Sequence, residues 1–445
     1  MKKIDISKIA LIFIFLVFLL VCIYLAFNIK MGVSPDSYYH FEVSKAYSTT
    51  LGIPQNTPGT FKWRDITRIP YLYFWINGRI LNINDGAIDE VVLLRIVNVF
   101  YSLETVYVMY LLSKEIFKDK WKRVLPVFFL THTLMFVFLS SSINYDNFAN
   151  LLSTLSIYFF VKFVKKEGID LKYLLLMLLS LCIGALTKST VLPVALILVI
   201  LSAVEIAKRK DKIKKIKAGK ELLLLVPVAI FAFLNLSLYG GNLLKYKSLE
   251  PSCTQILTHE QCLENGVYYR NKVDYNATPI DGPLDVFNMI IKGERIGPVR
   301  YFFKWFPDLM SKIFGIMGDS SLYLPSYLTA LFILFFLAGA VLLVSNKKKL
   351  TKIDKYLITT LLFYTAILFF TQNYSMYLTY NHYYLGLQGR YIFPVISIIY
   401  ILLTKSFFFI NPKKLRNILL ISFSILLIYS CNIYLFLNLP DSWLK

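Results

Sequence analysis

IALIFIFLVFLLVCIYLAFNIKMGVSPDSYYHF, residues 9–41, joins an uncharged apolar run (9–28) to a polar segment holding a carboxylate, Asp36, and an imidazole, His40. At about 1.5 Å rise per residue the run crosses about 30 Å of hydrocarbon. No water is available there to satisfy backbone N–H and C=O groups, so the run must be helical. It lacks a small-residue cleavage site and reads as a retained anchor. Ten further apolar runs follow, at 91–112, 124–142, 147–164, 173–187, 190–206, 221–239, 323–344, 356–371, 391–410 and 417–437. With 57% hydrophobic, 16% aromatic and only 17% charged residues, the chain predicts an all-α polytopic membrane protein. The expectation is a single bundle over 1–445 with about 11 transmembrane helices.

The net charge of +21 invites a nucleic-acid reading, but its distribution points to a membrane. The segments 1–8, 113–123, 162–172, 205–221, 345–355 and 405–416 hold 29 of the 48 Lys and Arg and 9 of the 27 acids. These are the N-terminus and alternate loops, and their excess is the positive-inside pattern. It predicts a multi-pass protein of the cell membrane with a cytoplasmic N-terminus and an extracytoplasmic C-terminus. The KRKDKIKKIKAGK run at 208–220 then anchors against anionic headgroups of membrane lipids. No groove accompanies the charge, so no nucleic-acid partner is expected.

The opposite face carries the long loops: 29–90, 240–322 and 372–389, rich in Tyr, Trp and Asn. Mid-span positions are nearly free of charge, Glu104 being the main exception. A transporter places polar groups near the midplane; here they concentrate outside. Cys253 and Cys262 fall in the 240–322 loop and suggest a disulfide on an oxidising face. Zinc is the rival, with His259 between them, though that set supplies three ligands only. Cys22, Cys182 and Cys431 lie in spans and read as apolar fillers. Asn276-Ala277-Thr278 and Asn373-Tyr374-Ser375 are formal glycosylation triplets of little specificity.

Ser34, Pro35 and Asp36 read as a helix start: cap, proline at the first helical position, then an acid at the positive end of the dipole. Asp36 and His40, four apart, share a face. TRIPYLYFW (67–75) opens on a cation, Arg68, and predicts a segment lying on the membrane surface with its rings down. SSSINYDN (140–147) is a tight outer turn with Asn144, Asp146 and Asn147. LTKST (186–190) puts Lys188 on the side where cations are scarce. QGRYIFP (388–394) places Arg390 and Tyr391 at the outer end of a span. Arg390 suits bidentate phosphate binding, and Gly386 and Gly389 would admit close backbone approach. For each acid and cation a plain role as cap, turn or snorkelling residue stands beside the functional one.

At these residues the chain resembles the GT-C superfamily of membrane glycosyltransferases. SPDSYYHF is similar to the acidic motif that follows the first span in that superfamily, and RIPYLYFW to a run found in its protein O-mannosyltransferase and lipid A aminoarabinose transferase branches. SSSINYDN, LTKST and QGRYIFP resemble an uncharacterised branch with a QGRYxxP signature. The resemblance implies a GT-C-like bundle that takes a sugar from a polyprenyl- or dolichyl-phosphate carrier and passes it to an extracytoplasmic acceptor. It implies Asp36 as the catalytic acid and Lys188 and Arg390 at the lipid phosphate; the residues themselves add His40 beside Asp36 as catalytic, and Asp146, Asn144, Arg68 and Tyr391 as substrate-binding. Where many relatives have a second acid directly after the first, this chain has Ser37, so a divalent metal lacks that support. A lipid-linked oligosaccharide flippase and an O-antigen polymerase- or ligase-like protein are the competing readings.

Overall fold

A computed structural model describes residues 5–209, 219–275, 278, 280 and 282–445. Most of the 208–220 lysine run, and Asn276 of the first triplet, lie outside the described residues. Among the described residues nine helices are long and apolar enough to cross a membrane, beginning with Ile6–Asn28 and ending with Lys413–Asn438. The segment expected at 124–142 is a broken span: Lys120–Thr131 and Leu134–Ser140 meet at 70°. The segment expected at 173–187 is the shorter apolar helix Leu171–Thr187. All eleven expected segments therefore fall on helices, and the molecule is an all-α polytopic bundle.

The chain starts these helices with side chains that satisfy their orphan N–H groups. Asp5 accepts Ser7 N–H, Asp89 accepts Val92 N–H, Asp119 accepts Lys122 N–H and Asp170 accepts Tyr173 N–H. The break in the third span is buried in protein, where freed backbone groups find partners. There the Thr133 hydroxyl turns back to Phe129 O at 2.8 Å and also meets the Tyr400 hydroxyl. Tyr145–Lys165 lies deep in the bundle, its apolar window 72% buried against 11% for Lys220–Tyr246. The first is walled by other helices, while the second turns most of its surface outward to lipid.

One face gathers the loops. The C-terminal residues pair with the start of the first loop: Lys30 N–H donates to Trp443 O at 2.7 Å and Lys445 N–H to Asn28 O at 2.8 Å. The Ile6–Asn28 span separates this face from the N-terminal end. In the first loop, Ser37–Ser48 and Leu72–Asn84 pack together. Two of the four rings of TRIPYLYFW depart from the lipid-facing placement expected from sequence, while Tyr71 and Trp75 stay partly exposed. Tyr73 and Phe74 are fully buried in protein, against a ready-made aromatic cluster that includes Tyr47, Tyr145 and His40. In the second loop the amphipathic helix Pro298–Phe314 turns Tyr301 and Trp305 inward. It runs into a small hairpin pairing Ile316 with Leu322 and Met317 with Ser321. Asn373, first residue of the second glycosylation triplet, is fully buried and bonded to Trp305 Nε1 and Gly386 O, so the folded chain does not offer it for modification. Cys253 and Cys262 are disulfide-bonded, and His259 Nδ1 lies 3.1 Å from the Tyr268 hydroxyl.

Candidate active site

The helix after the first span begins at Ser37, not at Pro35. Asp36 stands just before it in the left-handed region (φ 55°, ψ 20°), and its side chain makes no cap. Asp tolerates this conformation better than most residues, at some cost. The turn frees the carboxylate to leave the helix and meet Arg390, and Asp36 Oδ2 is ion-paired with Arg390 Nη2. Asn144 Nδ2 donates to Pro35 O at 3.0 Å and so holds the turn in place. Asn144, expected among the substrate-binding residues, is itself fully buried and also caps Tyr145–Lys165 by accepting Asp146 N–H at 2.9 Å. Its observed work is to position the motif.

Arg390 is the hub. Its Nε donates to Gln388 Oε1, its Nη2 reaches Asp36, and its Nη1 lies 3.4 Å from Asp146 Oδ2. Asp146 Oδ1 in turn holds Lys188 Nζ. Lys188 sits between the rings of Tyr145 and Tyr391, 4.5 and 4.9 Å from their centroids, a favourable setting for a desolvated cation. Four residues from distant parts of the chain thus form one interlocked quartet of two acids and two cations, at the loop-bearing end of the spans. Asp146, Lys188 and Arg390 are buried, while 46% of the Asp36 side chain is exposed. Burial raises the Asp36 carboxyl, but Arg390 outweighs it, with help from Lys188, and holds it at about 2. Asp36 is therefore ionised, and only weakly basic while Arg390 is bound to it.

His40 does not share this position. It is fully buried among Tyr39, Phe74 and Tyr145, the last at 4.3 Å between ring centroids. Both ring nitrogens lack a hydrogen-bond partner. Burial drives its pKa down to about 3, against the pull of Asp36, so the ring carries no positive charge near pH 7. Where a catalytic part is expected of it, the ring is packed among aromatic side chains beneath the motif.

Beside the quartet lies a cavity of about 520 Å³, with Lys188, Arg68, Arg64, Lys272, Tyr39 and Tyr145 in its wall. Lys188 is the member of the quartet that reaches it. A smaller groove of about 150 Å³ between Ser189–Lys208 and Lys352–Tyr380 shares Ser189 with it and is lined by Pro193, Tyr364, Ile367 and Leu368. Gly389 does not make room for a ligand. A Cβ there would overlap the Lys312 carbonyl, so the glycine lets Pro298–Phe314 press on the turn that aims Arg390. Gly386 supplies a left-handed turn (φ 69°) just before it.

Sequence reasoning missed one carboxylate. Asp319, at the tip of the 316–322 hairpin, is exposed and lies near enough to Asp36 for the two carboxylates to repel each other. The hairpin is pinned there: Ser320 N–H donates to Val33 O at 3.4 Å, and a Cβ on Gly318 would stand 2.6 Å from that same oxygen. The only signal was a polar GDSS turn (318–321) ahead of a span. Nothing local connects it to residue 36.

These features define a polytopic membrane protein with charged residues converging at the loop-bearing ends of its spans. Residues 69–235 match the sequence profile of a family described as dolichyl-phosphate-mannose-protein mannosyltransferase. No curated protein matches in sequence. The Archaeoglobus fulgidus oligosaccharyltransferase, solved with Zn and sulfate, superposes with a TM-score of 0.50 at 14% identity, over 95% of this chain and 52% of that one. ArnT from Cupriavidus metallidurans, bound to undecaprenyl phosphate, gives 0.48 at 13%, over 95% and 64%. AglB from A. fulgidus, with an inhibitory peptide and a dolichol-phosphate, gives 0.45 at 14%, over 97% and 55%. The chain spans less than two thirds of each of these solved proteins, and at such identities the likeness is one of fold.

Proposed function

We propose that the chain is a membrane glycosyltransferase that takes a sugar from a polyprenyl- or dolichyl-phosphate carrier and passes it to an acceptor on the extracytoplasmic face. The observation that carries this reading is the quartet of Asp36, Arg390, Asp146 and Lys188, assembled from four remote stretches beside a cavity. The description of the family matched at 69–235 supports the same donor class. The groove lined by Pro193, Ile367 and Leu368 suits an isoprenoid tail, and the 520 Å³ cavity a sugar.

Charge guides the chemistry. A planar guanidinium and a ring-bracketed ammonium suit a phosphate better than they suit water. A phosphate arriving between Lys188 and Arg390 competes with Asp36 and Asp146 for their protons. The leaving polyprenyl phosphate gains one negative charge as the bond to the sugar breaks, and the two cations stabilise it. Asp36, kept ionised, then faces the positive charge that develops at the anomeric carbon. Tyr391 brackets Lys188, and Arg68 stands ready on the cavity wall for the sugar or its acceptor.

The test is binding of dolichyl phosphate to the full-length chain in detergent micelles. Arg390→Gln and Lys188→Met are each expected to weaken it at least about tenfold, as lost charge-assisted contacts do. Wild-type affinity in both variants would remove the phosphate from the quartet and sink the reading.

A further inference from the structure

Asp36 is a poor base while Arg390 holds it, yet glycosyl transfer to a hydroxyl needs a proton acceptor. The exposed carboxylate of Asp319 sits beside it on a hairpin fixed to residues 33–35 by a backbone hydrogen bond and by the close fit of Gly318. Arg390, on the other side of Asp36, is committed to Gln388, Asp36 and Asp146, so Asp319 is the carboxylate here without a direct cationic partner in the quartet. We propose that Asp319 is the base that takes the proton of the acceptor hydroxyl, a role that rests on the transferase reading above.

In the step, the acceptor oxygen bonds to the anomeric carbon and its proton passes to the Asp319 carboxylate. The bond from that carbon to the phosphate oxygen breaks, and its electron pair leaves with the polyprenyl phosphate. Asp319 then returns its proton to water. The two carboxylates divide the labour because their surroundings differ. Arg390 binds Asp36 directly, whereas Asp319 is open to solvent on one side but partly desolvated where the hairpin meets residues 33–35, and that desolvation, with the charge of Asp36, raises its carboxyl to about 6 against a weaker opposing pull from Arg390. The hairpin and the 33–35 segment bring no other charge to it, and Lys312 and Asp308 of the preceding helix pair with each other at 2.6 Å. A base poised near the working pH is the efficient one.

The full-length chain in micelles, supplied with dolichyl-phosphate-mannose or dolichyl-phosphate-glucose and water as acceptor, is followed by release of dolichyl phosphate. The wild-type rate is expected to rise with pH through about 6 and then level. Asp319→Asn is expected to lower it about 100-fold or more and to flatten that limb, with dolichyl phosphate binding unchanged. Asp319→Glu should recover part of the rate and keep a limb. An Asp319→Asn protein with the wild-type rate and limb overturns the assignment alone, as does one that loses dolichyl phosphate binding. A wild type that releases nothing from either donor overturns the transferase reading and the assignment with it.

Discussion

Arg390 has three arms and three separate partners, so the acids around it are not equivalent. Asp36 is half exposed, and its loss leaves Arg390 beside Asp146. Asp36→Asn is therefore expected to fold and insert normally while sugar transfer falls about 100-fold or more; undiminished turnover would remove Asp36 from the chemistry. Asp146 is different, because its loss strands Lys188, which is 5% exposed. Leaving one partner of a buried ion pair costs about 3–5 kcal/mol. Asp146→Asn should lower the thermal unfolding midpoint in detergent, and adding Lys188→Met should restore part of it. An additive double mutant would show that the two side chains do not depend on each other.

Elements explain what could and could not be read in advance. Each long helix announces itself by about twenty apolar residues, and each charged outer residue is visible where a span ends. What links them is not local. Asp36 leaves the helix register because a partner 354 positions away rewards a left-handed turn. Asp319 joins it through strands of two residues each, too short to leave a periodicity. Tyr73 and Phe74 bury in protein because a neighbouring aromatic cluster awaits them, which composition alone does not reveal. The hairpin offers its own test. Gly318→Ala would force a Cβ to within 2.9 Å of Pro35 N as well as onto Val33 O, and neither backbone group can yield cheaply. Misplacing catalytic groups by about 1 Å can cost about 100-fold, so Gly318→Ala should reduce donor turnover between about 10- and 100-fold. Ser320→Ala, whose contact to Val33 uses the backbone N–H, should not. Equal effects would mean the hairpin does not act by position.

At the scale of the whole molecule, the loops, the C-terminal residues and the quartet share one face, and the basic loops the other. Cys262→Ser leaves Cys253 as a free, partly exposed thiol on the first face. A membrane-impermeant maleimide should label it in intact cells, while a cysteine placed at Lys414 should label only after permeabilisation; the reverse pattern would invert the topology. The eleven-segment architecture was legible because the bilayer imposes length and apolarity on every crossing. The 70° break at residues 131–134 was not: Thr131, His132 and Thr133 turn back to carbonyls of 127–129 as they would in an unbroken helix, and only the Tyr400 hydroxyl comes from far along the chain. The interlocked quartet carries a further consequence for a cell that maintains a voltage. A single charge moved through the full potential gains about 2.3 kcal/mol per 100 mV, but two acids tied to two cations offer the field nothing to pull. The resting site keeps its arrangement whether the cell is energised or not, and only an incoming anionic headgroup feels the difference.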